Sequence, residues 1–401
     1  MANPPLRIGV AGLGRAFQLM LPTLVLHPRI VLAAAADPRA EARDRFTADF
    51  SARAYASVEE MCADPAVQAV YIATPHQFHA SNVIAAASNR KHVLVEKPMA
   101  LTLEECLSMI GATRHAGVRM VIGHSHSFDT PIRRTRDLIA SGAVGSLRMI
   151  SALNYTDFLY RPRRPEELRT QSGGGVIFNQ APHHVDIVRL LGGGLVRIVC
   201  AAAGAWDSAR PTEGAYGALL KFESGAHATI TYSGYAHFDS DELMDGIAES
   251  GYPKSPSAYG AARGLIGRTH SPEQELAVKN ARMYGGVSDI SAQSAVSQAR
   301  AHQHFGLIVA SCDRADLRPT PQGVKIYDDF QERFEALPPP TVPRAEVIDE
   351  LCDAIFLDRP ALHSGEWGMA TMEVCLAMLQ SSREGREISL RYQIGTDCEA
   401  R

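Results

Sequence analysis

The sequence has no Cys-x-x-Cys pair, no block of like charge, and no apolar stretch approaching the roughly 20 residues a membrane helix needs. Each absence removes a class of function. The seven cysteines (Cys62, Cys106, Cys200, Cys312, Cys352, Cys375 and Cys398) are odd in number and scattered. That argues against a disulfide framework and a zinc ribbon, and for a reducing compartment. With a formal net charge of -4 and no Lys/Arg block that dominates, a nucleic-acid partner is not expected. The opening Met1-Ala2-Asn3-Pro4-Pro5-Leu6-Arg7 lacks the charged-then-apolar pattern of a signal peptide. The expectation is a cytoplasmic protein with no membrane association. His183-His184 and His302-Gln303-His304 are the nearest approach to a metal motif, but no His-Glu-x-x-His or cysteine ligand spacing accompanies them. No metal is expected.

What is present points to an α/β enzyme. A chain of 401 residues is long for one core and suggests two domains, and 46% hydrophobic with 21% charged residues is ordinary globular composition. From residue 6 to 123, short apolar runs alternate with helical periodicity. Strands are expected at 6–11, 30–36, 69–73, 92–95 and 119–122. Capping boxes at Ser57-x-x-Glu60 and Thr102-x-x-Glu105 start two of the helices. Repeated β-α-β with continuously apolar strands means a parallel sheet covered on both faces, a Rossmann domain over 1–123. After Gly123 the texture changes. A helix is expected over 131–140, a strand over 147–155, and hairpins at 216–232 around Glu223-Ser224-Gly225 and at 318–327 around Pro321-Gln322-Gly323. Residues 124–401 therefore read as an α+β domain with a large, mainly antiparallel open sheet. Within it, 240–300 is a polar, Gly- and Ser-rich insertion, and helices at 344–356 and 366–381 close the chain.

Three runs carry chemistry. Gly12-x-Gly14, between the first strand and a helix, supplies the tight turn and close backbone approach of a pyrophosphate cradle, with Arg15 and Ala16 opening the helix. The third position of that fingerprint is Phe17, so helix–strand packing must be solved differently. Asp37 ends the second strand, where a carboxylate binds an adenosine ribose and favours NAD; Arg39 beside it could attract a 2′-phosphate and leaves NADP open. Glu96-Lys97-Pro98 ends a later strand of the same sheet, on the edge where ligands sit. Lys97 there could face a nicotinamide and hydrogen-bond a substrate hydroxyl. Thr74, Pro75 and His79 follow the strand at 69–73, and His124 the strand at 119–122, on the same edge. Gly173-Gly174-Gly175 leads through Asn179 to a helix start at Pro182, with His183 as a candidate acid–base group and Asp186 one turn on to orient it. Tyr155 and the arginines Arg161, Arg163 and Arg164 form a Pro-rich cationic segment suited to carboxylates. Tyr235 and His237 follow a strand that could line the same cavity.

The Gly-x-Gly turn, Ala73-Thr74-Pro75-His76, Glu96-Lys97-Pro98 and the glycine run leading to His183-x-x-Asp186 resemble, in order and spacing, the Gfo/Idh/MocA oxidoreductase family over essentially the whole chain. The resemblance implies an N-terminal Rossmann domain, a C-terminal open-sheet domain, Lys97 and His183 as the catalytic pair, and a Lys97-Pro98 bond that is often cis. Polyol-oxidising members usually have Asp where this chain has Asn179 and Gly where it has Ala181, which weighs against a sugar-like substrate. The runs 10–17, 152–157, 161–168 and 232–238 are similar to the phthalate 4,5-dihydrodiol dehydrogenase branch. That branch implies NAD(P)-dependent oxidation of a cis-dihydrodiol of phthalate to 4,5-dihydroxyphthalate. A sugar or polyol dehydrogenase of the same family and a non-catalytic dinucleotide-binding sensor are the alternatives. A homo-oligomer, dimer or tetramer, is expected through the C-terminal sheet.

Overall fold

The computed structural model describes residues 4–123, 125–287 and 301–396. Its first part is built from strands β1 (Leu6–Ala11), β2 (Ile30–Ala36), β3 (Arg53–Tyr55), β4 (Ala69–Ile72), β5 (His92–Val95) and β6 (Met120–Ile122). They form one parallel six-stranded sheet in the order β3-β2-β1-β4-β5-β6. Between them run α1 (Arg15–Leu26), α2 (Ala40–Phe50), α3 (Val58–Ala63), α4 (His79–Ser88) and α5 (Leu103–Ala116). The strands are apolar almost throughout because helices cover both faces, and β4 and β5 bury Ala69 to Ile72 and Val93 to Val95 completely. Thr102 caps α5 in a full capping box with Glu105. The reversal of strand order between β1 and β4 opens a crevice at the carboxyl ends of the strands, and the loops after β1, β4, β5 and β6 line it.

The second part begins with α6 (Thr130–Ala140) and β7 (Leu147–Tyr155), and continues through α7 (Gly175–Asn179), α8 (Ala181–Leu191), β8 (Val196–Gly204), β9 (Ala215–Phe222) and β10 (His227–Ser233). It then passes α9 (Ala261–Ile266), α10 (Pro272–Ala281), β11 (Leu307–Cys312), β12 (Ala315–Thr320), β13 (Gly323–Asp328) and β14 (Glu332–Ala336). Helices α11 (Ala345–Phe356) and α12 (Gly365–Glu384) and strand β15 (Ile388–Ser389) complete it. The nine-stranded sheet runs β14-β13-β12-β11-β7-β10-β9-β8-β15 and is antiparallel except where β10 lies parallel to β7. One face packs on α8 and α12. The other carries Leu153, Leu219, Thr229, Thr231 and Val309, which stay exposed or part-exposed. The sequence expectation of an open, mainly antiparallel sheet is met.

The two late helices divide between the sheets. In α11, Val347, Ile348, Leu351 and Cys352 join the same buried cluster as Leu6, Ile8, Phe17 and Val121, and Arg29 of the first domain reaches Asp349 and Asp353 at 2.9 and 2.7 Å. Helix α12 packs on α5, β6, α8 and β8, so its Trp367, 1% exposed, sits at the seam. These two helices fix the parallel sheet's ligand edge against the second domain. Among the described residues, no helix is long and apolar enough to cross a membrane.

Candidate active site

The glycine turn after β1 has the form a dinucleotide requires. Gly12 has φ 92°, and a Cβ there would lie 2.9 Å from the Ala73 carbonyl oxygen, so only glycine lets this turn pass the β4 loop. At Gly14, the N-cap of α1, a Cβ would meet nothing within 4 Å, and no side chain caps the helix. The start of α1 thus has open space beside Gly14 and no side chain on its first N–H groups, which suits a phosphate. Arg15 and Ala16 open the helix there. At the end of β2, Asp37 accepts the Leu13 N–H at 2.8 Å and the Arg39 N–H at 2.9 Å. The Arg39 guanidinium folds back on it, Nε to Oδ1 at 3.0 Å.

After β4, Thr74 Oγ1 accepts the Asn82 amide at 2.9 Å, and Pro75 leads into the short turn 76–78. His79 is fully buried, with its ring nitrogens 3.0 Å from the carbonyls of Pro98 and Thr74. It staples the β4 and β5 loops together. His124 lies outside the described residues.

The β5 loop delivers Glu96 and Lys97. The Lys97-Pro98 peptide is cis, as the family resemblance implied. Lys97 Nζ donates to the backbone carbonyl of Asn179 at 3.0 Å, which joins the first domain's edge to the end of α7. Burial pushes the Lys97 pKa below the ordinary lysine range; Glu96 and Glu249 oppose the fall, and Arg344 and Arg163 add to it. Glu96 itself is buried and accepts the Tyr71 hydroxyl at 2.6 Å, with burial raising its pKa against the pull of Lys97.

From the second domain, His183 enters in the first turn of α8. Its ring meets His126 edge-on and Phe305 at a tilt, each with centroids 4.8 Å apart. His126 is pinned to Asp129 Oδ2 at 2.7 Å, and burial above all holds it down to about 3. The neutral ring therefore donates its Nδ1–H to the carboxylate. Asp186, expected from its spacing to orient His183, is held by other groups. The hydrogen bonds described for its carboxylate come from Ser125, Ser127, Trp367 Nε1 at 2.5 Å and Thr371 at 3.0 Å. It anchors the seam between α8, α12 and the β6 loop. The Asn179 side chain likewise turns inward, donating to the carbonyls of Gly173 and Gly175 at 3.2 and 2.8 Å.

The arginine segment separates into members with different surroundings. Arg163 lies with its guanidinium carbon 3.6 Å from the Phe158 ring centroid and donates to the Phe158 carbonyl at 2.6 Å. Its Nε is buried with no hydrogen-bond partner among the described residues, and burial lowers its pKa to about 10. Arg161 is exposed and paired with Asp157 at 3.1 Å. Arg164 turns away, with its N–H on Glu167 at 2.6 Å and its guanidinium 3.9 Å from Met283 Sδ. Tyr155 packs against Phe238 at 6.0 Å. Tyr235 stacks on Trp206 at 5.1 Å and accepts the Trp206 N–H at 2.8 Å, which ties it to the β8–β9 corner rather than to Lys97. His237 is exposed.

Four further residues converge here that the sequence reading did not choose. His126 faces His183. Arg344, just ahead of α11, acts on Lys97, His126 and Arg15. Tyr232 is 1% exposed, and its hydroxyl is pushed up by burial and then by Glu249, against Arg161 and Arg163. Glu249, held by the Asn154 amide at 2.9 Å, comes from the segment read as an insertion. An arginine directly after Pro343 at a helix start was the one visible signal for Arg344. Nothing local marked Glu249. Among the described residues, no cluster of His, Cys, Asp or Glu could hold a metal ion.

Comparisons with known proteins agree with this geometry. Residues 6–124 match the model of an oxidoreductase family with an NAD-binding Rossmann fold, and residues 132–246 match the GFO/IDH/MocA C-terminal domain. A Comamonas testosteroni protein, 1-carboxy-3-chloro-3,4-dihydroxycyclohexa-1,5-diene dehydrogenase, is 47% identical over 94% of this chain and 95% of its own. A solved structure from Bordetella bronchiseptica RB50 superposes with a TM-score of 0.90 at 41% identity, covering 96% of this chain and all of that one. The WlbA dehydrogenase of Bordetella pertussis, solved with NADH and UDP-GlcNAcA, shares the fold at a TM-score of 0.68 and 20% identity, over 96% of this chain and 99% of its own.

Proposed function

The chain belongs to the GFO/IDH/MocA family of NAD(P)-dependent oxidoreductases, and from that premise we propose that it oxidises a carboxylated cyclohexadiene cis-diol, the 4,5-dihydrodiol of phthalate, to the catechol 4,5-dihydroxyphthalate. The observation that carries the substrate class is Arg163. A guanidinium N–H buried without a partner calls for an acceptor, and a ring carboxylate supplies one. Arg161, on the same loop, neutralises the second carboxylate. The Comamonas relative, whose name specifies a carboxylated dihydroxycyclohexadiene, supports the same class.

NAD, when bound, supplies the hydride acceptor at the carboxyl edge of the parallel sheet. Lys97 is the base. Its burial favours the neutral amine, which takes the proton of the reacting hydroxyl as the carbinol carbon gives up its hydride. The carbon–oxygen bond becomes a carbonyl, and the hydroxyketone tautomerises to the aromatic ring, which makes the step strongly downhill. His183 is the second proton-handling group, oriented by packing on His126 and Phe305. Glu249 accepts a hydrogen bond from the diol's other hydroxyl. The scattered cysteines favour a cytoplasmic setting, and the part-apolar outer face of the nine-stranded sheet favours assembly with further copies of the chain as a dimer or tetramer.

The test is a substrate series assayed with NAD: cis-dihydrodiols bearing two, one or no ring carboxylates, with myo-inositol and glucose beside them. The expected order of kcat/KM falls from the dicarboxylate downward, and the product is the catechol. Turnover of the polyols in preference to every dihydrodiol would overturn the reading.

A further inference from the structure

The residues after α10 cross from the second domain onto the adenosine side of the first. Tyr284 is 0% exposed and belongs to the same buried cluster as Phe17, Ala42 and Phe46. Its ring meets Phe17 edge-on at 5.0 Å, and its hydroxyl donates to Asp49 Oδ2 at 2.8 Å. Gly285 follows with φ 79°, pressed so close to α2 that a Cβ would lie 2.8 Å from the Ala42 Cα. The glycine fingerprint has Phe17 at its third position, and the ring lying across that phenylalanine comes from the other domain.

The crossing also reaches the ribose-binding corner. Arg39 donates Nη1 to the Tyr284 carbonyl at 3.3 Å, Nη2 to the Leu13 carbonyl at 2.9 Å and Nε to Asp37 Oδ1 at 3.0 Å. The guanidinium is thus tied to the crossing segment, the glycine turn and Asp37 at once. An arginine committed in this way is poorly placed to receive a phosphate; its Nη2 also donates to Asp37 Oδ2 at 3.2 Å, so each carboxylate oxygen holds two donors and a ribose hydroxyl binds by taking the place of one of them. At the other end of the same element, Glu275 of α10 accepts the Arg163 N–H at 2.6 Å and Arg210 at 2.7 Å. One helix and its exit turn therefore connect the substrate arginines to the adenosine corner.

We propose that residues 282–286 form a strap, anchored by Tyr284, that positions Arg39 and Asp37 for an unphosphorylated adenosine ribose, which makes Tyr284 a positioning residue for the choice of NAD over NADP. The strap also brings Arg282 toward Arg15 at the start of α1, where burial first, and then Arg161, Arg344 and Arg282, hold the Arg15 pKa down. Such a gathering of cations at a helix N-terminus is relieved by an anion such as a pyrophosphate. The proposal rests on the NAD-binding reading of the first domain.

The experiment is calorimetric titration of the full chain with NAD and with NADP, which reads binding without turnover. The parent is expected to bind NAD more tightly. Tyr284→Ala is expected to weaken NAD binding about tenfold, the scale of one charge-assisted contact, and to narrow the NAD/NADP ratio by a similar factor. Tyr284→Phe keeps the ring and should hold the ratio within about twofold of the parent, well under the tenfold that one contact is worth. If Tyr284→Ala does not fold, Arg39→Met decides. A brace predicts that NAD binding falls and NADP binding changes less; a phosphate receptor predicts that NADP binding falls alone, which would overturn the proposal. A folded Tyr284→Ala variant with the parent's NAD affinity and ratio would overturn it as well. A parent that prefers NADP would instead contradict the ribose reading of Asp37, independently of the strap.

Discussion

Lys97 reaches across the domain seam to the backbone carbonyl of Asn179 at 3.0 Å. The amino group proposed to meet the substrate hydroxyl is therefore parked on the glycine-rich turn of the second domain, and a bound hydroxyl must take over that hydrogen bond. The contact joins two of the runs marked in the sequence: Glu96-Lys97-Pro98 supplies the lysine, and the run that follows Gly173-Gly174-Gly175 supplies its resting acceptor.

The pH profile follows from the burial of Lys97. Burial disfavours the ammonium, so its pKa lies below the ordinary lysine range, and the amine is the form that can accept a proton. The rate kcat/KM is expected to rise with pH and level off once Lys97 is neutral, with the midpoint below that of a free lysine. His126, held down to about 3, contributes no limb in the neutral range. Rate measurements across pH on the parent and on Lys97→Met check this; an ascending limb that survives in the variant would assign it to another group.

Replacing Asp186 separates anchoring from orientation. Asp186→Asn puts an amide donor against Ser125, Ser127, Trp367 and Thr371, all of which donate to the carboxylate. A cost of about 2–4 kcal/mol is expected for disturbing this buried set, read as a lowered apparent Tm. The pH profile of kcat should stay in place. A displaced profile at unchanged Tm would restore Asp186 as the partner of His183.

Much of the fold was legible because it is written locally. Parallel strands buried on both faces read as continuous apolar runs, the Glu223-Ser224-Gly225 turn fixed the β9–β10 hairpin, and Leu147–Tyr155 was found at its full length. β3, three residues long, and β8, a run of small and apolar residues, were not picked out, because neither has a strong pattern of its own and both are defined by the strand beside them. The site divides the same way. Lys97 and the glycine turn sit at strand ends, where sequence order and position in space coincide. Glu249, Arg344 and Tyr284 arrive through tertiary packing from positions that carry no local mark, although Tyr284-Gly285-Gly286 inside a polar segment is an aromatic followed by a tight turn. Of His124 and His126, the reading chose the first, whereas the described ring against His183 is the second.

The arginines should not be equivalent. Arg163→Ala is expected to lower kcat/KM for the dicarboxylate roughly ten- to a hundredfold, the range of a lost charge-assisted contact. Arg161→Ala should cost less, since its guanidinium is exposed and shared with Asp157, and Arg164→Ala least. All three should be assayed on dihydrodiols with and without ring carboxylates. Retention of the parent's preference in the Arg163 variant would remove the carboxylate assignment.

Glu249→Gln tests the second hydroxyl. The amide keeps the volume and an acceptor oxygen but loses the charge, so kcat/KM on a cis-diol should fall about tenfold, with little change on a substrate lacking that hydroxyl. Equal losses on both substrates would make Glu249 an electrostatic neighbour of Lys97 rather than a substrate contact.

The central claim is that Lys97 is the base of a hydride-transfer reaction, and the most direct measurement is turnover of the phthalate dihydrodiol by Lys97→Met alongside calorimetric NAD binding. Turnover is expected to fall by about 10²-fold or more while NAD still binds. Near-parental turnover in a variant that binds NAD would contradict the account.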